Sequence, residues 1–402
     1  MASLKSVKAS KTDTTTTRSW TAKPILDPDF TEVLPLQRVY IGILKQRKDT
    51  SVAIQSISAI LPGFAHLKRC SNGKLLLAPL RSEKKSRGQN GEEDVSEDDL
   101  KDQLRERGFD LSLFQDEFQV TEVPAKAPRT KSQAREASTI WPVNFHPDQT
   151  IENLLDGSVF DEDRWITIGR IMSMVIEAAR LEAIGDKRCT GAAAVVDPED
   201  GRILAVSAAR IDRHPMWHAA MLAVDLVAGL HGGGAWRLSD KDGFTIEDRQ
   251  VRTEDERSVE KDRLRRIKRK YEEETPRCYP TSLLSSLELP AQTPLETTQG
   301  RRKDAAKVKE DAEKSGPYLC TGYWAFLLME PCPMCAMALL HSRVSRIFYG
   351  EANRSVGVLG TRAILHTVPG LNHRYQVWSG ILERECRQTV EEISGRSKVL
   401  CE

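Results

Sequence analysis

The run Glu330-Pro331-Cys332-Pro333-Met334-Cys335 constrains the fold of this chain more than any other feature. It follows Tyr323–Met329, an aromatic and apolar stretch that reads as a buried strand, and it opens a helix expected from Pro331 to about His341. Pro331 suits a first helical turn, because the N–H that proline lacks has no partner there anyway. Cysteines three apart on that turn project from one face, and the positive end of the helix favours their thiolates. A further strand is expected at Ser345–Tyr349, so the local order is β-α-β, which asks for a sheet covered by helices.

A Cys-x-x-Cys corner of this kind serves several chemistries. A thioredoxin-like redox pair also sits at a helix start after a strand. A structural zinc site wants a second Cys-x-x-Cys or a histidine pair, and no second Cys-x-x-Cys exists in the chain. A deaminase-type site wants one histidine from another helix start. His218 offers it, just after His214-Pro215, where the chain enters an apolar helix over Trp217–Ala228. From the residues alone the metal and redox readings both stand.

The α/β pattern extends upstream. Arg164–Ile184 carries apolar residues at helical spacing, and two short strands, Ala192–Val196 and Ile203–Ala208, flank the turn signal Asp197–Gly201. Residues 238–316 break the pattern with dense mixed charge and scattered Pro and Thr. They are expected as a charged insertion, with Arg265, Arg266, Lys268, Arg269 and Lys270 on a solvated face. The expected fold class is α/β, ordered α-β-β-α, insertion, β-α-β, within residues 161–390, and residues 391–402 read as a tail. Residues 31–123 read as a small α+β domain, with strands at Val39–Leu44 and Lys74–Leu80 around a helical stripe between Thr50 and His66. Residues 124–160 are expected as a linker, basic and rich in Pro, Ala and Ser at their start, and residues 1–30 as a disordered tail.

The 402 residues suffice for about two domains at roughly 100–200 residues each. The formal net charge is +1, so any nucleic-acid binding must come from local patches. Eight cysteines are too sparse for a disulfide scaffold, and no apolar run approaches the ~18 residues of a membrane span. The expectation is a protein of a reducing compartment, where Cys pairs mean metal or redox chemistry.

Set together, His218-Ala219-Ala220-Met221 and Pro331-Cys332-Pro333-Met334-Cys335 resemble the signature of the nucleobase zinc deaminases, His-x-Glu followed by Pro-Cys-x-x-Cys. The continuation from Ala336 to Arg343, with Arg346–Gly350, Leu359–Thr361 and Leu371–Arg374, is similar to the tRNA adenosine deaminases over roughly Arg164–Arg387, leaving out the insertion. The resemblance implies a cytidine-deaminase-like domain that binds Zn2+ through His218, Cys332 and Cys335. The departure is Ala220, which stands where catalytic relatives have the glutamate that carries protons between the metal-bound water and the base. Alanine cannot carry a proton, and losing general acid–base help costs about 10²–10⁴-fold.

The chain therefore resembles the non-catalytic subunit of the eukaryotic heterodimer that converts wobble adenosine to inosine, a subunit that also has an extra N-terminal domain. This implies a catalytic deaminase subunit and tRNA as partners, and work in nucleus and cytoplasm. Candidate RNA contacts are Lys45, Arg47, Lys48, Lys68, Arg69 and Lys74 in the N-terminal domain, and Asn372, His373 and Arg374 in a loop expected near the RNA cleft. Trp217 and Trp324 read as core rather than as base-stacking platforms. Cys401 or Glu402 is a candidate cap on the metal. The rival readings are an independent deaminase using another acid, for which Asp225 and Glu330 are the nearest candidates, and a thiol redox protein.

Overall fold

The computed structural model of the chain describes residues 18–86, 89–94, 96–183, 189–236, 238, 275–296 and 319–399. Asp27–Val159 forms one compact unit, and the residues up to Leu26 and from Phe160 onward form the other. The first strand, β1 (Lys23–Pro24), belongs to this second unit.

In the 27–159 unit, β2 (Leu36–Ile43) leads into α1 (Thr50–Ile60), and β3 (Cys70–Ser71) turns into β4 (Lys74–Pro79). A separate ribbon of β5 (Arg81–Ser86) and β6 (Gln89–Asp94) precedes α2 (Glu97–Glu106) and β7 (Gln119–Pro124). The main sheet is antiparallel in the order β3-β4-β2-β7. Side-chain alternation sets its two faces. Tyr40, Leu75 and Leu77 join Ile57, Leu100, Leu104 and Phe114 on one face. Val39, Ile41 and Leu76 join Leu67, Val123 and Trp141 on the other. Gly42 is required by the first face, since a Cβ there would lie 2.9 Å from the Phe114 ring.

Trp141 shows why this unit outruns the expected boundary at 123. Residues 124–160, expected as a linker, hold α3 (Lys131–Ile140) and α4 (Gln149–Asp156). Trp141, at the end of α3, covers the second face and donates its indole N–H to the Lys68 carbonyl at 2.7 Å. The buried Gln133 side chain donates to the carbonyls of Asp29 and Glu32 at 3.0 and 2.8 Å. The polar composition of this stretch misled because its few apolar residues do the packing.

The second unit continues with α5 (Glu162–Glu182), β8 (Ala192–Val196), β9 (Ile203–Ala208), α6 (Ala219–Leu230), β10 (Arg277–Tyr279) and α7 (Ser282–Ser286). It ends with β11 (Trp324–Met329), α8 (Pro333–His341), β12 (Arg346–Glu351), β13 (Gln376–Ser379) and α9 (Glu383–Val399). The seven-stranded sheet has the order β1-β13-β12-β11-β8-β9-β10. Strands β9 to β13 all point one way, and β8 runs against both its neighbours. This is the α/β architecture expected. Every residue of β8 and β9 is buried, as strands covered on both faces must be. Helices α5 and α9 cover one face, and α6 and α8 the other. On the α5 side, Phe160, Trp324, Phe326, Phe348 and Trp378 form one aromatic cluster, with neighbouring ring centroids 5.0–5.5 Å apart.

Three expectations change here. Residues 391–399, read as tail, continue α9, with Ile393 buried. Residues 18–26, read as tail, run along the sheet edge. β1 pairs antiparallel with β13, the Ile25 N–H donates to the Val377 carbonyl at 2.9 Å, and His366 Nε2 hydrogen-bonds the Ile25 carbonyl at 2.9 Å. Trp20 meets Trp165 edge-on at 5.9 Å, and the Arg18 guanidinium lies 4.9 and 4.8 Å from their rings. Part of the expected insertion is also ordered. β10 extends the sheet beside β9, Leu295 is buried, and Glu296 pairs with Arg346 at 3.1 Å. A three-residue strand is too short to show a period. Residues 239–274 and 297–318, with the Arg265–Lys270 cluster, lie outside the described residues, as do Cys401 and Glu402. Among the described residues no helix is long and apolar enough to cross a membrane.

Candidate metal centre

Ligands of open α/β sheets gather at the carboxyl ends of the strands, where the following helices begin. Here β9 and β11, parallel and separated only by the reversed β8, each feed a helix on the same face. After β9 the chain turns through residues 209–217, braced by Arg210, whose guanidinium grips Asp212 at 3.1 and 2.9 Å. His218 follows as the N-cap of α6, in extended backbone. After β11, Cys332 is the N-cap of α8, also extended, with Pro333 in the first turn. The helix therefore starts two residues later than expected. Pro333, not Pro331, takes the position where a missing N–H is harmless.

This geometry brings the expected ligands together. His218 Nδ1 lies 3.7 Å from Cys332 Sγ, and the donor atoms of His218, Cys332 and Cys335 all fall within 4.8 Å of one another. Ligand bonds of about 2.3 Å to sulfur and 2.0–2.1 Å to nitrogen, at tetrahedral angles, put S and N about 3.6 Å apart. The donor set and its spacing fit zinc. Cys332 is half-buried and its thiol is pulled down to about 5, chiefly by the hydrogen bond from Cys335. Main-chain N–H groups of Cys335 and Met334 at the helix start and the nearby His218 assist. Cys335 is buried and pushed up by that same bond and by desolvation.

Ala220 stands in the first turn of α6 with 5% of its surface exposed, in the core that also holds Trp217, Leu222 and Cys335. Neither neighbouring acid replaces the missing carboxylate. Asp225 takes the N–H groups of Ala235 and Trp236, and burial raises its pKa. Glu330 is 1% exposed and its oxygens are committed to the 353–361 loop, a role not read from the sequence. A glutamate directly before Pro-Cys was the available signal. Trp217 and Trp324 are core residues, at 5% and 0% exposure.

The candidate RNA contacts separate. Lys45, Arg47, Lys48, Lys68 and Lys74 are exposed. Lys74 pairs with Ile43 across β4 and β2, which sets it beside the turn carrying Lys45 to Lys48. Lys45 lies 3.7 Å from Asp116. Arg69 differs from these lysines because it faces inward. Its guanidinium donates to the carbonyls of Leu61, Gly63 and Leu77, lies over Phe64, and is brought down to about 10 by burial. It braces the fold instead of offering a phosphate contact. Asn372, His373 and Arg374 precede β13. The Asn372 carbonyl accepts from Arg343 at 3.0 Å and His373 bonds the Val344 carbonyl at 2.6 Å, both at the amino end of β12. Cys332 follows the carboxyl end of the parallel β11, so within this chain that loop and the cradle lie at opposite ends of α8.

His218, Cys332 and Cys335 thus form a cradle at the starts of two neighbouring helices that could hold a metal ion, and the residue two after the histidine is alanine. No protein-family model matches the chain. A human protein named probable inactive tRNA-specific adenosine deaminase-like protein 3 is 31% identical over 375 residues, covering 92% of this chain and 91% of its own. Its rat counterpart of the same name is 30% identical over 382 residues, with the same coverage. The Arabidopsis thaliana tRNA-specific adenosine deaminase TAD3 is 25% identical over 407 residues, 90% of this chain and 94% of its own. The chain belongs to the family of these tRNA-specific adenosine deaminase-like proteins.

Proposed function

We propose that this chain is the non-catalytic subunit of a tRNA adenosine deaminase, holding zinc and tRNA beside a catalytic partner that converts wobble adenosine to inosine. One observation carries the reading. The three metal ligands are kept at zinc-binding spacing while Ala220 removes the proton carrier. A protein that had lost all use for the site would have no reason to keep the cradle.

His218, Cys332 and Cys335 would hold zinc, and in a catalytic relative such a zinc acidifies a bound water. In this chain no side chain at the Ala220 position can move a proton, so a bound zinc would serve to join α6 and α8. The 27–159 unit offers Lys45, Arg47, Lys48, Lys68 and Lys74 to the phosphates of a folded RNA, which is recognised largely through shape and backbone.

Co-expression with a catalytic deaminase subunit, followed by an inosine assay on full-length tRNA, tests the reading. The chain alone should form no inosine and the complex should form it. Changing the partner's proton-carrying glutamate should abolish turnover with assembly intact. Inosine formed by that mutant complex, or by this chain alone, overturns the assignment.

A further inference from the structure

Glu330 directly follows β11, two residues before the ligand Cys332, and its carboxylate is the centre of a small buried network. Oε1 accepts the N–H of Leu359 at 2.8 Å and of Thr361 at 3.0 Å. Oε2 accepts the N–H of Asn353 at 3.0 Å and the hydroxyl of Thr361. Four donors match the roughly four acceptor sites of an ionised carboxylate. The loop closes on it without slack, because a Cβ on Gly357 would lie 2.2 Å from Oε2. The main chain is engaged as well. Glu330 N–H donates to Glu351 at 2.8 Å, and Val358 N–H donates to the Pro331 carbonyl at 3.3 Å. Leu359 is fully buried in the core that contains Ala220 and Cys335.

The segment 330–332 is thus gripped by the 353–361 loop on one side and ends in a metal ligand on the other. We propose that Glu330 is a positioning residue that couples metal loading of the cradle to the order of the 353–361 loop, an inference that rests on the zinc reading above. A displaced loop leaves Cys332 free to swing from His218. An empty cradle lets the 330–332 segment shift, and the loop loses its anchor.

The test uses the full chain, stripped of metal and reloaded with zinc or cobalt. Amide hydrogen exchange follows residues 353–361, and the cobalt–thiolate absorption reports the cradle independently. In the wild type the loop amides should exchange at least about tenfold faster after stripping. Glu330→Gln sets an NH2 group among donors. It should weaken cobalt binding about 10–100-fold, the usual effect of losing support around a ligand, and leave the loop fast with or without metal. Thr361→Val removes a single hydroxyl donor and should shift both readouts the same way by less, without threatening the fold. Wild-type loop exchange that ignores metal while the cobalt spectrum shows binding refutes the coupling alone. Wild-type affinity in Glu330→Gln refutes it too. A wild-type chain that takes up no cobalt removes the zinc reading and the coupling with it.

Discussion

Metal-stripped protein should betray the cradle through the pH dependence of one thiol. Cys332 is held at about 5 by the hydrogen bond from Cys335, against about 9 for an ordinary thiol. At pH 6 about 90% of it is thiolate, compared with about 0.1% of the ordinary thiol, a ratio of about 900. Nucleophilicity falls with thiol pKa at a Brønsted slope of about 0.4–0.5, which over this difference costs about 60-fold. The net expectation at pH 6 is reaction about 15-fold faster than an ordinary cysteine. At pH 8 the populations differ by only about 11-fold, so Cys332 should be about sixfold slower. The two profiles therefore cross near pH 7, and Cys332 stays almost flat from pH 6 to 9. A neutral pyridyl disulfide, with mass-spectrometric assignment of the labelled peptide, measures this. Buried Cys335 should lag behind, and added zinc should protect both. A Cys332 profile that rises tenfold per pH unit through pH 7–8 refutes the reasoning, as does labelling indifferent to zinc.

Other outcomes follow from the same structure. His218→Ala and Cys335→Ser should each abolish stoichiometric zinc, read by metal analysis, and lower the Tm; a full zinc complement in either variant would exclude that residue as a ligand. Replacing Ala220 by glutamate should leave the inosine yield of the heterodimer unchanged, since the partner supplies the chemistry; a rise would show a second competent site. Gly350→Ala sets a Cβ 2.1 Å from Cys386 Sγ and 3.0 Å from the Ile381 carbonyl, so denaturant titration should show a loss of about 1–3 kcal/mol, partly recovered by Cys386→Ala. Removing Lys45, Arg47, Lys48 and Lys74 together should weaken tRNA binding and flatten its salt dependence. Arg69→Ala should lower stability and leave the salt slope alone, the reverse of what a phosphate contact gives.

Where the chain is apolar between clear turn signals, the sequence was sufficient. Ala192–Val196 and Ile203–Ala208 form as expected because both faces of each strand are covered, so the whole run is hydrophobic. The cradle was legible for a related reason. His218 and Cys332 each sit where a strand exit meets a helix start, and such corners leave marks in prolines and polar residues. Arg69 was not legible, because a guanidinium looks the same in sequence whether it faces water or the carbonyls of Leu61 and Gly63. Glu330 read as a spare acid because its partners lie 23 to 31 residues further on, in a loop without pattern. β1 and β10 are too short to signal themselves, and each exists through the strand it pairs with.

Strand β1 also alters what the chain's architecture is. The sheet edge is completed by residues that precede the 27–159 unit, so that unit is spliced into the deaminase domain between its outermost strand and its first helix. During synthesis Lys23 and Pro24 emerge more than 350 residues before their partners Trp378 and Ser379, so this edge closes only after β13 has been made. A protease cut anywhere in 27–159 would leave the early fragment hydrogen-bonded to the later one. An N-terminal truncation meant to remove only the added module would also strip the edge and the Arg18–Trp20–Trp165 stack. The excision that respects the fold is internal, removing Asp27–Val159, and it keeps β1 and the cradle within one domain.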